Sequence, residues 1–296
     1  MIAAAAARPD DSPRDRGRAR YPEIPRRKID FDFDPEKVPR DYYAGDPIQS
    51  LIMTALSNVF PEGERFFVDS VLHYKDQIDE DPELAAAVKG FAAQEGMHSR
   101  AHAAFNAMAR AQGLEVAKDL ERKVKYLLRF RKKNAPPEAR LAVTCALEHF
   151  TAIMAEQLLT DTAHRESLDP VVRDLWVWHA LEESEHKAVA FDVFQKVCGS
   201  YAVRIRVMII ATLFFVGFIT YSHVRMCAAR GLLGDVRGHL HAFDYLWIRR
   251  GLFRSLIPAY LDYFRPGFHP NDRDTTALLS DWRARLFGEN GTLQMA

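Results

Sequence analysis

Apolar positions along most of this chain recur at steps of three and four residues, the period of a helix with one buried face. Leu51, Ile52, Ala55, Leu56 and Val59 set the pattern after Asp46-Pro47, and Phe66, Phe67, Val68, Val71 and Leu72 resume it. Pro61 and Gly63 interrupt between them, so the pattern predicts a helix, a kink, and a second helical stretch to about Ile78. Asp81-Pro82-Glu83 reads as a helix start, an acceptor at the cap followed by proline at the first helical position and an acid in the first turn; that helix runs to about Gly113. A cationic helix is expected over 118–133, stopped by Asn134-Ala135-Pro136-Pro137. A third long helix follows from Glu138 to about Arg165, and a fourth opens at Asp169-Pro170 and closes at Gly199.

Residues 21–46 show no sustained period and read as an extended arm, while 1–20, rich in Ala, Arg, Asp and Pro, read as a disordered tail. The bundle then occupies 47–200, and 201–296 supply further helices packed on it. Within them residues 207–221 carry no charge for fifteen positions, with Arg204 and Arg206 on one side and Arg225 on the other. Fifteen residues fall short of the roughly 20 that cross a bilayer upright. A core helix is the first reading of this stretch; peripheral membrane contact and a partner interface are the alternatives.

Composition narrows the class. With 48% hydrophobic residues in 296, the chain can bury a large core. Forty basic side chains balance forty acidic ones, which leaves no overall field to attract nucleic acid. Cys145, Cys198 and Cys227 lie far apart and form no Cys-x-x-Cys, so neither a disulfide framework nor a thiolate zinc site is indicated, and a reducing cytoplasm is the simpler setting.

The chemistry sits in the stretch Trp178 to Lys187. His179, Glu183 and His186 are spaced by four and three residues, so at roughly 100° per residue all three fall within about 60° of one another on a helix. Glu95 and His98 repeat the Glu-x-x-His pattern upstream. In di-metal carboxylate bundles two helices each give Glu-x-x-His and two give a single Glu. Glu64 and Glu148 are the candidates for the single ligands, and the order Glu64, Glu95/His98, Glu148, Glu183/His186 is the required one. Glu64 precedes Glu95 by 31 residues and Glu148 precedes Glu183 by 35, each enough for one helix up and one down; the 53 residues between Glu95 and Glu148 leave room for a crossover. Four glutamates in a low-dielectric core need compensation, and two divalent cations supply it. Oxygen and imidazole donors without thiolate make iron the first choice, with manganese and zinc compatible. Glu182 and Glu185 face elsewhere by helical angle, toward solvent or, for Glu182, behind a ligand histidine. His102 and His149 read as packing or supporting residues and Cys145 as a small buried one.

The blocks Phe60 to Phe67, Gln94 to His98, Glu182 to Lys187 with Ala190-Phe191-Asp192, and Pro266 to Pro270 resemble a bacterial family known as predicted metal-dependent hydrolases. The likeness spans about residues 40–290. Within the wider ferritin-like group, His179 beside Glu183 and His186 also resembles the p-aminobenzoate N-oxygenases, di-iron enzymes with an extra histidine ligand. The expectation is an all-α, ferritin-like four-helix bundle with added C-terminal helices and a di-metal enzyme site. The leading reading is an oxygen-dependent oxidase or oxygenase of an apolar or amine substrate, with dioxygen as co-substrate and an electron donor as partner. The rival is a hydrolase in which a metal-bridged hydroxide attacks the substrate, and the third is a non-catalytic, membrane-associated metal binder. Oligomerisation is left open.

Overall fold

Three of the four Asp-Pro pairs each start a long helix. In the computed structural model, which describes residues 20–296, Asp46 accepts from the amides of Ile48 and Gln49, Asp81 from that of Leu84, and Asp169 from that of Val171, with proline at the first helical position each time. Helix α1 spans Pro47–Leu72, α2 Lys75–Ile78, α3 Pro82–Ala111, α4 Val116–Asn134 and α5 Pro137–Thr160. Helix α6 spans Thr162–Glu166, α7 Pro170–His186, α8 Val189–Val197 and α9 Tyr201–Ala229. Helices α10 (Val236–Phe243), α11 (Leu252–Asp262) and α12 (Thr276–Phe287) follow, with a π-helical turn Asp244–Arg249 before α11 and a 3-10 turn Pro270–Asp272 after it. The fold is all-α; among the described residues the only β pairing is an isolated bridge between Tyr43 and Leu168. The tail expected over 1–20 lies, apart from Arg20, outside the described residues.

Helix α1 pairs with α3 and α5 with α7, and the two hairpins pack into a four-helix bundle with α4 as the crossover. No second helix begins at Pro61: α1 continues through it and ends at Leu72 rather than Ile78. Proline has no amide to give the carbonyl four residues back, that of Ser57. Asn106 of α3 supplies the missing donor, its Nδ2 lying 3.2 Å from the Ser57 carbonyl oxygen. The helix expected to reach Gly199 is broken too: α7 stops at His186 and α8 resumes at Val189.

The two larger of the core's four apolar clusters lie one around Phe105, Leu175 and Trp178, the other around Phe91, Leu141 and Val189. Glu95, between Phe91 and Phe105 on α3, and Glu148, between Leu141 and Leu158 on α5, mark the level where the clusters part. Residues 21–46 run over the bundle with little regular structure; Phe31 packs on Trp178 and Phe33 on Phe105. Gly90 of α3 permits this, since a Cβ there would stand 2.7 Å from the carbonyl oxygen and the side chain of Ile24.

Helix α9 differs from the first reading of 207–221. It is 29 residues long, enough to cross a membrane by length and composition alone, yet only 22% of its most apolar window is buried. Its charged ends do not stop it, because Arg204 is itself buried among the rings of Tyr201, Phe191, Tyr263 and Phe268 and donates to the Arg265 carbonyl. The outer stripe, including Leu213 at 70% and Phe214 at 71% exposed, faces away from the protein, so α9 is not a core helix.

Candidate metal centre

Helices α1, α3, α5 and α7 bring the seven expected side chains to one buried place. Glu95, Glu148, Glu183 and His186 can each put a ligand atom within 4.8 Å of the others, and so can His98, His179 and Glu183, and Glu64, Glu95 and His98. A fourth group, Glu64, His102 and His179, takes in His102, which the sequence placed among the supporting residues. Glu183 belongs to two of these groups: Oε1 lies 2.8 Å from His179 Nε2 and 3.7 Å from His98 Nδ1, and Oε2 lies 3.6 Å from His186 Nε2. It spans the centre.

Nine buried polar atoms here find no hydrogen-bond partner in the protein: both oxygens of Glu64, Glu95 and Glu148, Oε2 of Glu183, Nδ1 of His98 and Nε2 of His186. A buried donor or acceptor left unmade costs about 1–3 kcal/mol, more if charged, so a cluster of them marks a place made for something else to bind.

The histidine tautomers follow from their outer partners. Asn106 gives its Nδ2 to the Ser57 carbonyl, so its Oδ1 accepts the Ser57 hydroxyl at 2.8 Å. With that proton committed, Ser57 Oγ accepts from His102 Nδ1 at 2.8 Å, and His102 Nε2 accepts from His179 Nδ1 at 2.6 Å. His179 therefore turns Nε2 inward, 2.8 Å from Glu183 Oε1. His98 gives Nε2–H to Glu182 at 3.0 Å, and His186 gives Nδ1–H to Gln94 Oε1 at 2.9 Å; the Gln94 amide is itself fixed by donating to the Pro25 carbonyl and to Glu185. All three rings, held from outside, direct a nitrogen at the four carboxylates, the arrangement a metal requires.

The electrostatics agree. Burial, reinforced by Glu95 and Glu183 for the first and by Glu183 and Glu95 for the second, holds Glu64 and Glu148 well above the carboxylate range, and burial also raises Glu95. Burial works the same way on Glu183, but the hydrogen bond from His179 and the proximity of His186 carry it well below. His186 is raised against the effect of burial by Glu183 and Glu95, whereas burial and His179 push His98 down. Without a cation the site protects itself with protons and one internal ion pair.

Glu182 takes the position behind His98 that was one of its two readings, and Glu185 corrects the helical-angle reading: neither is solvated. Glu182 accepts from His98, Trp178 and Arg27, and Glu185 from Arg27, Gln94 and Arg283. Arg27, from the arm, thus lies between two carboxylates of α7, one holding His98 and the other, through Gln94, His186. Burial lifts Glu182 to about 8 against the opposing pull of Arg27. Sequence reasoning missed Arg27, Gln94, Ser57 and Asn106. The one available signal was the acidic density of Glu182, Glu183 and Glu185, which asks for a cation without saying which. His149 donates to the Ala259 carbonyl and the Cys145 thiol to that of Ala190; both stay outside the cluster.

A narrow cleft reaches the centre from one side, with His179 and Glu183 in its floor and mostly apolar walls that include Leu56, Phe60, Trp176 and Leu158.

The model of the family described as predicted metal-dependent hydrolase matches residues 25–274. The chain belongs to this family. No curated protein and no solved structure matches the chain. The matched span takes in the arm from Pro25 onward and helices α1 to α11.

Proposed function

We propose that the chain is a metal-dependent hydrolase in which Glu64, Glu95, His98, Glu148, His179, Glu183 and His186 hold two divalent cations, and that it acts on an apolar ester or amide seated in the cleft. The observation that carries this is the convergence of nine unpartnered buried atoms on one place, which His179 and Glu183 join to the cleft. Four carboxylates and two divalent ions balance in charge, and the donor set suits iron, manganese or zinc. When bound, such a pair supplies Lewis acidity and a water of near-neutral pKa. The chain supplies the rest. His179 and Glu183 present the centre to the cleft, Phe60 and Trp176 exclude bulk water beside it, and the apolar walls orient the substrate's hydrocarbon part.

A second reading, oxygen-dependent oxidation at a di-iron pair with an outside electron donor, draws on a different observation. Among the cleft residues outside the cluster, burial pushes His164 down to about 4 and Tyr43 far up, so neither is poised to carry a proton to a leaving group. The two readings separate on air. The protein, purified without added metal, is expected to carry two metal ions per chain and to hydrolyse p-nitrophenyl acyl esters anaerobically with zinc or manganese, faster with longer acyl chains. A strict need for reductant and dioxygen would overturn hydrolysis in favour of the second reading.

A further prediction follows from the tautomer chain. His102→Phe keeps the ring packing on Phe60 and Trp176 but removes the acceptor for His179 Nδ1–H. Metal affinity, measured by competition with a chromogenic chelator, is expected to fall about 10–100-fold. Unchanged affinity would mean that His179 does not ligate.

A further inference from the structure

The apolar surface left exposed outside the bundle is concentrated in one part of the chain. Sixteen of the 21 exposed large apolar side chains among the described residues lie between 201 and 265. On α9 they recur as Ile209, Leu213, Val216 and Val224, with the helix's buried side opposite, so they form one stripe. Leu240 and Phe243 of α10, Trp247 and Ile248 of the π-helical turn, and Ile257 and Leu261 of α11 continue the exposed apolar surface.

We propose that this face docks the protein on an anionic lipid bilayer, with α9 lying along the membrane plane. Charge selects this occupant. Residues 201–265 carry nine arginines, no lysine, no glutamate and three aspartates, a formal +6 in a chain whose net charge is zero. Arg206, Arg225, Arg237, Arg249 and Arg254 are exposed among the apolar positions. The neighbouring α4 adds eight basic residues against two acidic ones, with exposed Tyr126 and Phe130; its Lys123 bonds to the Tyr221 hydroxyl and lies over that ring. Apolar side chains within a cationic field match acyl chains beneath anionic headgroups. A twofold dimer through this face would set the same positive field against itself.

The packing of α9 argues for lying along the membrane rather than crossing it. Met208 and Ala211 pack against Tyr263 and Phe268 near one end, Phe215 and Ile219 join the main core midway, and Met226 and Cys227 pack on α1 and α4 at the other. The helix is fastened to the bundle along its length. Docking also has a definite relation to the cleft. Leu246, Leu252 and Phe253 form part of the cleft wall, and Phe253 packs edge-on against the exposed Trp247 at 5.7 Å. A bilayer on this face would meet the outer side of that wall.

Flotation of the full chain with phosphatidylcholine vesicles, with and without phosphatidylglycerol, tests the proposal and needs no activity. Binding to the anionic vesicles is expected, weaker by about tenfold or more on neutral ones or after Leu213→Glu with Phe214→Glu. Both substituted positions are exposed, so an unchanged melting curve should accompany the loss. Trp247 is the one tryptophan of four that is exposed, so its emission should shift to the blue on anionic vesicles, and Trp247→Phe should float without that shift. Failure to float, flotation insensitive to the double variant, or a solution dimer that the double variant dissociates would each overturn the proposal, the last by making the face a contact between copies.

Discussion

Glu185→Ala is expected to destabilise the protein by about 3–5 kcal/mol, although Glu185 reaches none of the four ligand groupings. Arg27 is 5% exposed and gives both of its terminal nitrogens to Glu185 at 2.8 Å, so the truncation strands a buried guanidinium with only Glu182 in reach. Removing one partner of a buried pair costs more than the pair was worth, because the remaining charge keeps its desolvation penalty. Gln94 loses one of its two anchors at the same time, keeping only the Pro25 carbonyl, and its grip on His186 loosens, so metal content should fall as well. Glu62→Ala is the control: Glu62 pairs with Arg65 and Lys125 at the surface, where such contacts contribute about 0–1 kcal/mol. Urea unfolding of the three proteins decides the matter. A Glu185→Ala midpoint equal to wild type would show that Arg27 finds water in place of its partner.

Chelating the metal-loaded protein is expected to lower its stability by about 3 kcal/mol per ion, where free metal had stood about a hundredfold above its dissociation constant. The loss should widen between pH 5.5 and pH 8. In the metal-free fold Glu64, Glu95 and Glu148 are raised, so they hold protons that the unfolded chain has released. That contribution is complete below the unfolded carboxylate value and disappears as pH rises through the folded ones. Metal binding runs the opposite way, since it needs those protons gone. Differential scanning fluorimetry with and without chelator, across pH, measures the gap. Glu183→Ala, which removes the carboxylate that spans both halves of the centre, should show almost no gap, because little metal is left to remove. A full gap in that variant would place the ions elsewhere.

Much of the centre is legible in the sequence for a local reason. Glu95 and His98, or His179, Glu183 and His186, share a face because of helix geometry alone, and the intervals of 31, 53 and 35 residues suit two hairpins joined by a crossover. The errors have a common cause as well. Pro61 looked like a break because its effect on the chain was judged without Asn106, which comes from another helix and takes the carbonyl that Pro61 leaves bare. Glu185 looked solvated, and Glu182 had both solvent and a place behind a histidine open to it, because the helical angle says which way a side chain points and nothing about what arrives there. What arrives is Arg27, 155 residues from Glu182, carried by an arm with no periodicity of its own.

The apolar run in α9 has the same ambiguity. Its composition requires that it leave water, but a core, a bilayer and a partner all satisfy that requirement. The sequence by itself determined the helices, the ligand types and their order, because these depend on residues a few positions apart. The tertiary structure alone decided which faces are covered, which tautomer each histidine holds and which buried charge is compensated, because each depends on atoms brought together from distant parts of the chain.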